Sequence, residues 1–76
     1  MEIIGKTKKK ILKQIENEPL HGYKLSSTLN LSLSTVYGHL KDLKSMGLIK
    51  EENEPNRNKK YILTEKGKEL IKIFEK

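Results

Sequence analysis

The stretch STVYGHLKDLKSMGLI, residues 34–49, reads as a helix followed by a strand. Its main apolar residues recur at i, i+4 and i+7, which places them on one face of a helix: Val36, Leu40 and Leu43. Gly47 follows this run at the position where glycine commonly ends a helix, because glycine accepts a positive φ at little cost. We therefore predict a helix over about residues 33–46 with one buried stripe.

The opposite face of this helix is small, polar and basic. Stepping about 100° per residue away from the buried stripe brings four residues outward: Ser34, Gly38, Lys41 and Ser45. Tyr37 and Asp42 flank this strip, and Thr35 lies at its amino-terminal shoulder. Glycine inside a helix costs about 1 kcal/mol relative to alanine, and close backbone approach to a ligand would justify that cost. The major groove of DNA, about 12 Å wide, admits a helix with such short side chains.

Most residues of this face also have a plainer explanation, which the sequence leaves open. Gly38 suits a solvated face without a task as well as it suits groove contact. Ser34 and Thr35 suit helix initiation, and Tyr37 suits half-buried packing. Lys41 neutralises a phosphate without exact geometry. We predict DNA contacts from five residues of this helix: Ser34, Thr35, Tyr37, Gly38 and Lys41.

Two helices precede this one, and a short turn joins the second of them to it. The first, over about residues 7–16, buries a stripe at i, i+1 and i+4: Ile11, Leu12 and Ile15. The second covers about residues 22–29, with Asn30 as its left-handed C′ residue and Ser32 as the N-cap of the third helix. Two helices joined by about three residues are typical of a helix-turn-helix.

The pattern then changes to the alternation of a β-hairpin. Residues 48–52 and 59–64 predict two strands, and the polar loop 53–58 joins them. A last helix, about residues 65–74, begins after the capping residue Thr64. The predicted fold is therefore α+β but mostly α, a winged helix-turn-helix with three helices, a two-stranded β-hairpin wing and a C-terminal helix.

The wing carries the only arginine of the chain, Arg57, in its loop. A guanidinium is weakly hydrated and therefore suits a narrow minor groove, although an exposed turn residue is the alternative. Lys59 and Lys60 are predicted to contact the flanking DNA backbone; the alternative is that only one of them does, because adjacent residues of a strand point to opposite faces. Three acidic residues of the wing either pair with those lysines or repel phosphate: Glu51, Glu52 and Glu54.

Length and composition indicate one small basic domain over residues 1–76. The formal net charge of +6 attracts polyanions, although a lysine- and glutamate-rich surface also suits a solubilised or heat-adapted protein. The chain has no cysteine, and its two histidines do not make a zinc site alone, so we expect no metal or cofactor. We find no catalytic motif and no membrane-spanning apolar run, and we expect a cytoplasmic protein that is not an enzyme.

Three segments together resemble the PadR-like transcriptional regulators, within the winged-helix group that includes MarR-like and ArsR-like repressors. PLHGYKL, residues 19–25, looks like their lead into the second helix, and residues 34–49 resemble their recognition helix. PNRNKKYILTEKGKEL, residues 55–70, resembles their wing and the LTxxG start of their last helix. The resemblance implies a dimeric DNA-binding regulator, usually a repressor, that contacts a pseudo-palindromic operator through these matching positions: Ser34, Thr35, Tyr37, Lys41, Arg57 and Lys59.

The last helix is the predicted homodimer interface. PadR-like proteins dimerise through helices outside the wing, and the matching apolar residues here are Leu70, Ile71, Ile73 and Phe74. Fuller PadR-like proteins continue into a longer carboxy-terminal region, so a small-molecule effector is not expected.

Two other functions compete with a sequence-specific regulator. A winged-helix subunit that docks on protein would explain an exposed Leu33 and the wing glutamates. A chromatin or replication-origin binder with little sequence preference would explain the excess of lysine.

Overall fold

Four helices and a three-stranded antiparallel sheet make up residues 5–55 and 59–74, which are the residues described in a computed structural model of the chain. In chain order the elements are α1 Lys6–Asn17, β1 Leu20–His21, α2 Gly22–Leu29, α3 Leu33–Ser45, β2 Ile49–Asn53, β3 Lys59–Leu63 and α4 Glu65–Phe74. The predicted fold class is confirmed: the chain is mostly helical, and a β-hairpin wing follows the third helix. None of the helices within residues 5–55 and 59–74 could span a lipid bilayer.

The sheet contains one strand that the sequence did not predict. The two-residue β1 pairs antiparallel with β3, which places β3 in the centre of the order β1-β3-β2. Leu20 pairs with Tyr61, and both side chains are buried. β1 therefore joins β3, at Lys60 and Tyr61, to the segment that leads into α2.

The core lies between the helices and the inner face of the sheet. Its buried members are Ile11, Leu12, Ile15, Leu20, Leu25, Val36, Leu40, Leu43, Leu48, Ile49, Tyr61 and Ile71. The predicted stripes of α1 and α3 both lie in this set. Fully burying one aliphatic side chain contributes about 1.5–3 kcal/mol, so these stripes account for much of the stabilisation of a chain this short.

Side-chain and backbone hydrogen bonds fix the turn between α2 and α3. Asn30 adopts the left-handed conformation, with φ 56° and ψ 47°, as predicted. The Ser26 hydroxyl donates to the carbonyl oxygen of Leu31 at 2.6 Å, and the Leu31 amide donates to the Ser26 carbonyl at 3.0 Å. Ser32 caps α3 as predicted, because its hydroxyl accepts from the Thr35 amide at 3.2 Å. The direction in which α3 leaves the turn is therefore set by local contacts.

The end of α3 is joined to the start of α4. Gly47 has φ +78°, which agrees with its predicted place after the helix. The Thr64 hydroxyl donates to the Gly47 carbonyl at 2.6 Å and accepts from the Gly67 amide at 3.1 Å. A Cβ at Gly67 would lie 2.2 Å from the carbonyl oxygen of Leu48, so only glycine allows this approach. The two helix ends thus support the first residues of the wing.

Candidate nucleic-acid interface

The outward face of α3, defined by Ser34, Gly38, Lys41 and Ser45, is exposed along its whole length. The opposite side of the helix packs on the core, because Val36 and Leu43 are fully buried. A Cβ built on Gly38 would meet no atom within 4 Å, so packing within the chain does not require the glycine. The face is therefore open to a partner.

Lys41 presents a positive charge on this face. It makes no ion pair with another residue in the described ranges 5–55 and 59–74. The neighbouring Asp42 lies 3.5 Å from the ammonium of Lys8 on α1. That contact offsets the acidic charge beside Lys41, and the face remains basic.

The hydroxyls at the start of α3 already serve the helix cap. Ser32 donates to the Thr35 hydroxyl at 2.7 Å, and the hydroxyls of Ser32 and Ser34 are 3.4 Å apart. Both predicted contact residues, Ser34 and Thr35, are nevertheless exposed. The helix-initiation explanation thus has a structural basis for Thr35, and DNA contact stays a prediction for both residues.

Tyr37 lies at the junction of α2 and α3, and its side chain is 43% exposed. Its ring covers Gly22, because a Cβ at that glycine would lie 2.6–2.8 Å from the ring atoms and the hydroxyl oxygen. The glycine in HGYKL therefore leaves room for this tyrosine. One side of the ring packs on Gly22, and part of the ring stays exposed on the surface of α3.

Lys44 and Lys59 converge on one carboxylate between α3 and the wing. The Lys44 ammonium contacts Oε1 of Glu51, and the Lys59 ammonium lies 3.2 Å from Oε2. The hydrogen bond from Lys44, and to a smaller extent the one from Lys59, holds the pKa of the Glu51 carboxyl below its usual value. Glu51 therefore remains ionised and links the helix to the hairpin.

A second acidic residue, Glu54, lies at the loop end of the wing, one residue after β2. Its Oε1 lies 2.9 Å from Nε2 of His21, and its Oε2 lies 3.9 Å from the Lys60 ammonium. Nδ1 of His21 lies 3.1 Å from the carbonyl oxygen of Lys59, and the ring stacks on Tyr23 with centroids 5.5 Å apart. The explanation in which wing glutamates pair with wing lysines is thus observed for Glu51 and Glu54.

The predicted contact residues of α3 and those of the wing lie in different surroundings. The five on α3 share one helix surface, whereas Lys59 and Lys60 engage different glutamates at the wing. Arg57 lies outside the described residues. Sequence reasoning did not select Lys44 as a site residue, although its position three residues after Lys41 was a usable signal.

The predicted dimer residues also differ from one another. Ile71 is only 1% exposed and belongs to the core, while Leu70 and Phe74 are partly buried against it. Ile73 is 61% exposed and borders an apolar groove of about 520 Å³ that Met46 also lines. The chain itself thus covers much of the apolar side of α4, which the sequence analysis had assigned to a second subunit. Dimerisation stays a prediction that rests on Ile73 and this groove.

Comparison with known proteins places this arrangement among transcriptional regulators. Residues 5–51 match the family described as bacterial regulatory protein, arsR family. The chain is 37% identical over 58 residues to the uncharacterized HTH-type transcriptional regulator MJ1398 of Methanocaldococcus jannaschii, a match that covers 76% of this chain and 15% of that protein.

Solved structures of other regulators share the fold over nearly the whole chain. The transcriptional regulator Tm0710 from Thermotoga maritima is 32% identical with a TM-score of 0.86, over 91% of this chain and 51% of that one. A cysteine-to-serine mutant of ZitR from Lactococcus lactis is 26% identical with a TM-score of 0.89, over 99% and 53%. The chain therefore spans about half the length of these structures.

Proposed function

Because this chain belongs to the ArsR family of bacterial regulatory proteins, we propose that it binds double-stranded DNA sequence-specifically and represses transcription. In this proposal α3 enters the major groove, and the wing loop, residues 53–58, lies at the minor groove. The five α3 residues predicted above contact bases and phosphates, and Arg57, Lys59 and Lys60 contact DNA from the wing.

One observation carries the proposal: the outward face of α3 is open and basic, and the opposite side of the helix is buried in the core. Gly38 has empty space around it, and Lys41 is exposed with no ion pair among the described residues. A helix seated in the major groove needs close backbone approach and at least one cation toward phosphate. Gly38 allows the close approach, and Lys41, one helical turn later, supplies the cation.

The finer parts of the proposal concern subtype and assembly. The PLHGYKL and LTxxG segments support a PadR-like member of the winged-helix group. A homodimer on a pseudo-palindromic operator, with α4 at the seam, is supported by the exposed Ile73 and by the adjoining groove. We propose that residues 1–76 act as a single domain and respond to no small-molecule effector.

Selection from a random duplex library at physiological salt tests the proposal. A sequence-specific regulator enriches one motif with two-fold symmetry. Retention of all sequences alike would instead identify a low-specificity DNA binder, which the net charge of +6 permits. No retention at any salt concentration would favour protein docking, which the 45% exposure of Leu33 at the start of α3 would serve.

A further inference from the structure

Glu51 lies between α3 and the wing and bridges a lysine from each. Each carboxylate oxygen faces a different lysine, Lys44 from α3 on Oε1 and Lys59 from β3 on Oε2. A phosphate group presents two oxygens to neighbouring ammonium groups in the same manner. The carboxylate therefore mimics a ligand of the two elements that are proposed to contact DNA.

We infer that Glu51 is an internal competitor for DNA phosphate, which holds Lys44 and Lys59 until the duplex displaces it. This inference rests on the proposed function, because it concerns the same DNA surface. Its consequence is that Glu51 lowers affinity and flattens the salt dependence of binding.

The exposure of the three side chains favours competition. The side chains of Lys44 and Lys59 are 55% and 56% exposed, whereas that of Glu51 is only 19% exposed. Glu51 lies within β2, where its backbone pairs with the buried Tyr61. A lysine has a flexible stem of four carbons, so both ammonium groups can turn toward a duplex while the carboxylate stays in place.

The surrounding charge also favours an anion. Lys50 and Asn53 line the same cleft, which has a volume of about 410 Å³. Lys50 is exposed and has no ion pair in the described part of the chain. Three lysines thus surround one carboxylate, and the cleft keeps a positive excess even while Glu51 is paired.

Competition and preorganisation predict effects of opposite sign. If Glu51 withholds the lysines, its neutralisation frees two cations and strengthens binding. If Glu51 instead positions the lysines for DNA, its neutralisation weakens binding. Glu52 provides the matched control, because it is an exposed glutamate on the same strand without an ion pair among the described residues.

The experiment measures binding of the whole chain to a random-sequence duplex over a series of salt concentrations. For E51Q we expect about tenfold tighter binding at about 50 mM salt, and a log–log salt slope steeper by about one to two. For E52Q, which makes the same change in net charge, we expect about a twofold effect and an unchanged slope. A further variant, K44Q/E51Q, should show roughly half of the added slope, because only Lys59 is freed.

Circular dichroism confirms that each variant is folded before binding is compared. Equal gains for E51Q and E52Q would overturn the inference, since net charge alone would then explain them. Weaker binding by E51Q would also overturn it and assign a positioning role to Glu51. If the wild-type chain binds no duplex at all, the proposed function fails; if it binds and only the E51Q effect is absent, the proposed function stands without the inference.

Discussion

Gly38 is not required by packing within the chain, so its role depends on what approaches the outward face of α3. An alanine there meets no atom within 4 Å, and helix propensity favours it by about 1 kcal/mol. We expect Gly38→Ala to raise the unfolding midpoint by several degrees and to weaken DNA binding, because its methyl group enters the space between helix and groove. Thermal unfolding and duplex titration measure the two effects.

Gly5→Ala is the control for the effect of an added methyl group on affinity, since this methyl group also meets empty space but lies outside α3, at the N-cap of α1. Its DNA affinity should not change. If Gly38→Ala stabilises the protein and leaves affinity intact, the backbone of α3 does not approach DNA closely at this position.

Lys41 tests the charge of the same face. Lys41→Ala should weaken binding to all duplex sequences and reduce the salt slope by about one, since one phosphate contact is lost. Lys72→Ala, an exposed lysine on α4, removes the same charge away from the face. Equal effects of the two substitutions would show that Lys41 acts only through net charge.

At the scale of elements, the joint between α3 and the wing carries a pH dependence. Lys44 and Lys59 lower the pKa of Glu51 in the folded chain, so its ion pairs stabilise the fold above the usual glutamate pKa. That contribution begins to disappear below about pH 4.3 and is lost once the pH passes the lowered value. Wild type should therefore exceed E51Q in stability at neutral pH, by less than about 1 kcal/mol, and the two should converge in acid.

Urea unfolding of wild type, E51Q and E52Q at neutral and acid pH measures this convergence. E52Q should follow wild type at both pH values. A difference between wild type and E51Q that is the same in strong acid as at neutral pH would show that the ionised pair is not its source.

Elements with strong local end signals were predictable from the sequence. The bounds of α2 and α4 agree with the prediction, and local preferences explain two of these ends: the left-handed Asn30 ends α2, and the capping hydroxyl of Thr64 begins α4. β1 was not predictable, since two residues give no alternation and the strand exists only through pairing with β3. The same reason applies to the ring of Tyr37 over Gly22, a contact between residues distant in sequence.

The candidate site likewise has a part that local sequence patterns predicted and a part that depends on tertiary contacts. Helical periodicity alone identified the outward face of α3, because a helix fixes which side chains share a side. The pairing of Lys44 and Lys59 with Glu51 depends on how β2 and β3 fold back beside α3, which periodicity does not encode. Ile71 was named among the dimer residues, whereas the core takes up its side chain, because the apolar pattern of a helix does not separate burial in the core from burial against a second subunit.

At the scale of the whole molecule, two isoleucines of α4 allow folding and dimerisation to be tested separately, because Ile71 is buried in the core and Ile73 is exposed. Ile73→Glu should give a folded monomer if α4 is the dimer seam, because the exposed side chain is replaced without disturbing the core. Ile71→Glu should instead unfold the chain, because it buries a charge. Sedimentation together with circular dichroism distinguishes these results, and a persistent Ile73→Glu dimer would place the seam elsewhere.

The most direct test of DNA recognition by α3 is a residue-resolved NMR titration of the chain with its selected duplex. We expect amide shifts to concentrate on the outward face of α3, from Ser34 to Ser45, and on the strands of the wing, with α4 largely unchanged. Shifts confined to α1 and α4, with the α3 face unaffected at saturation, would contradict the account.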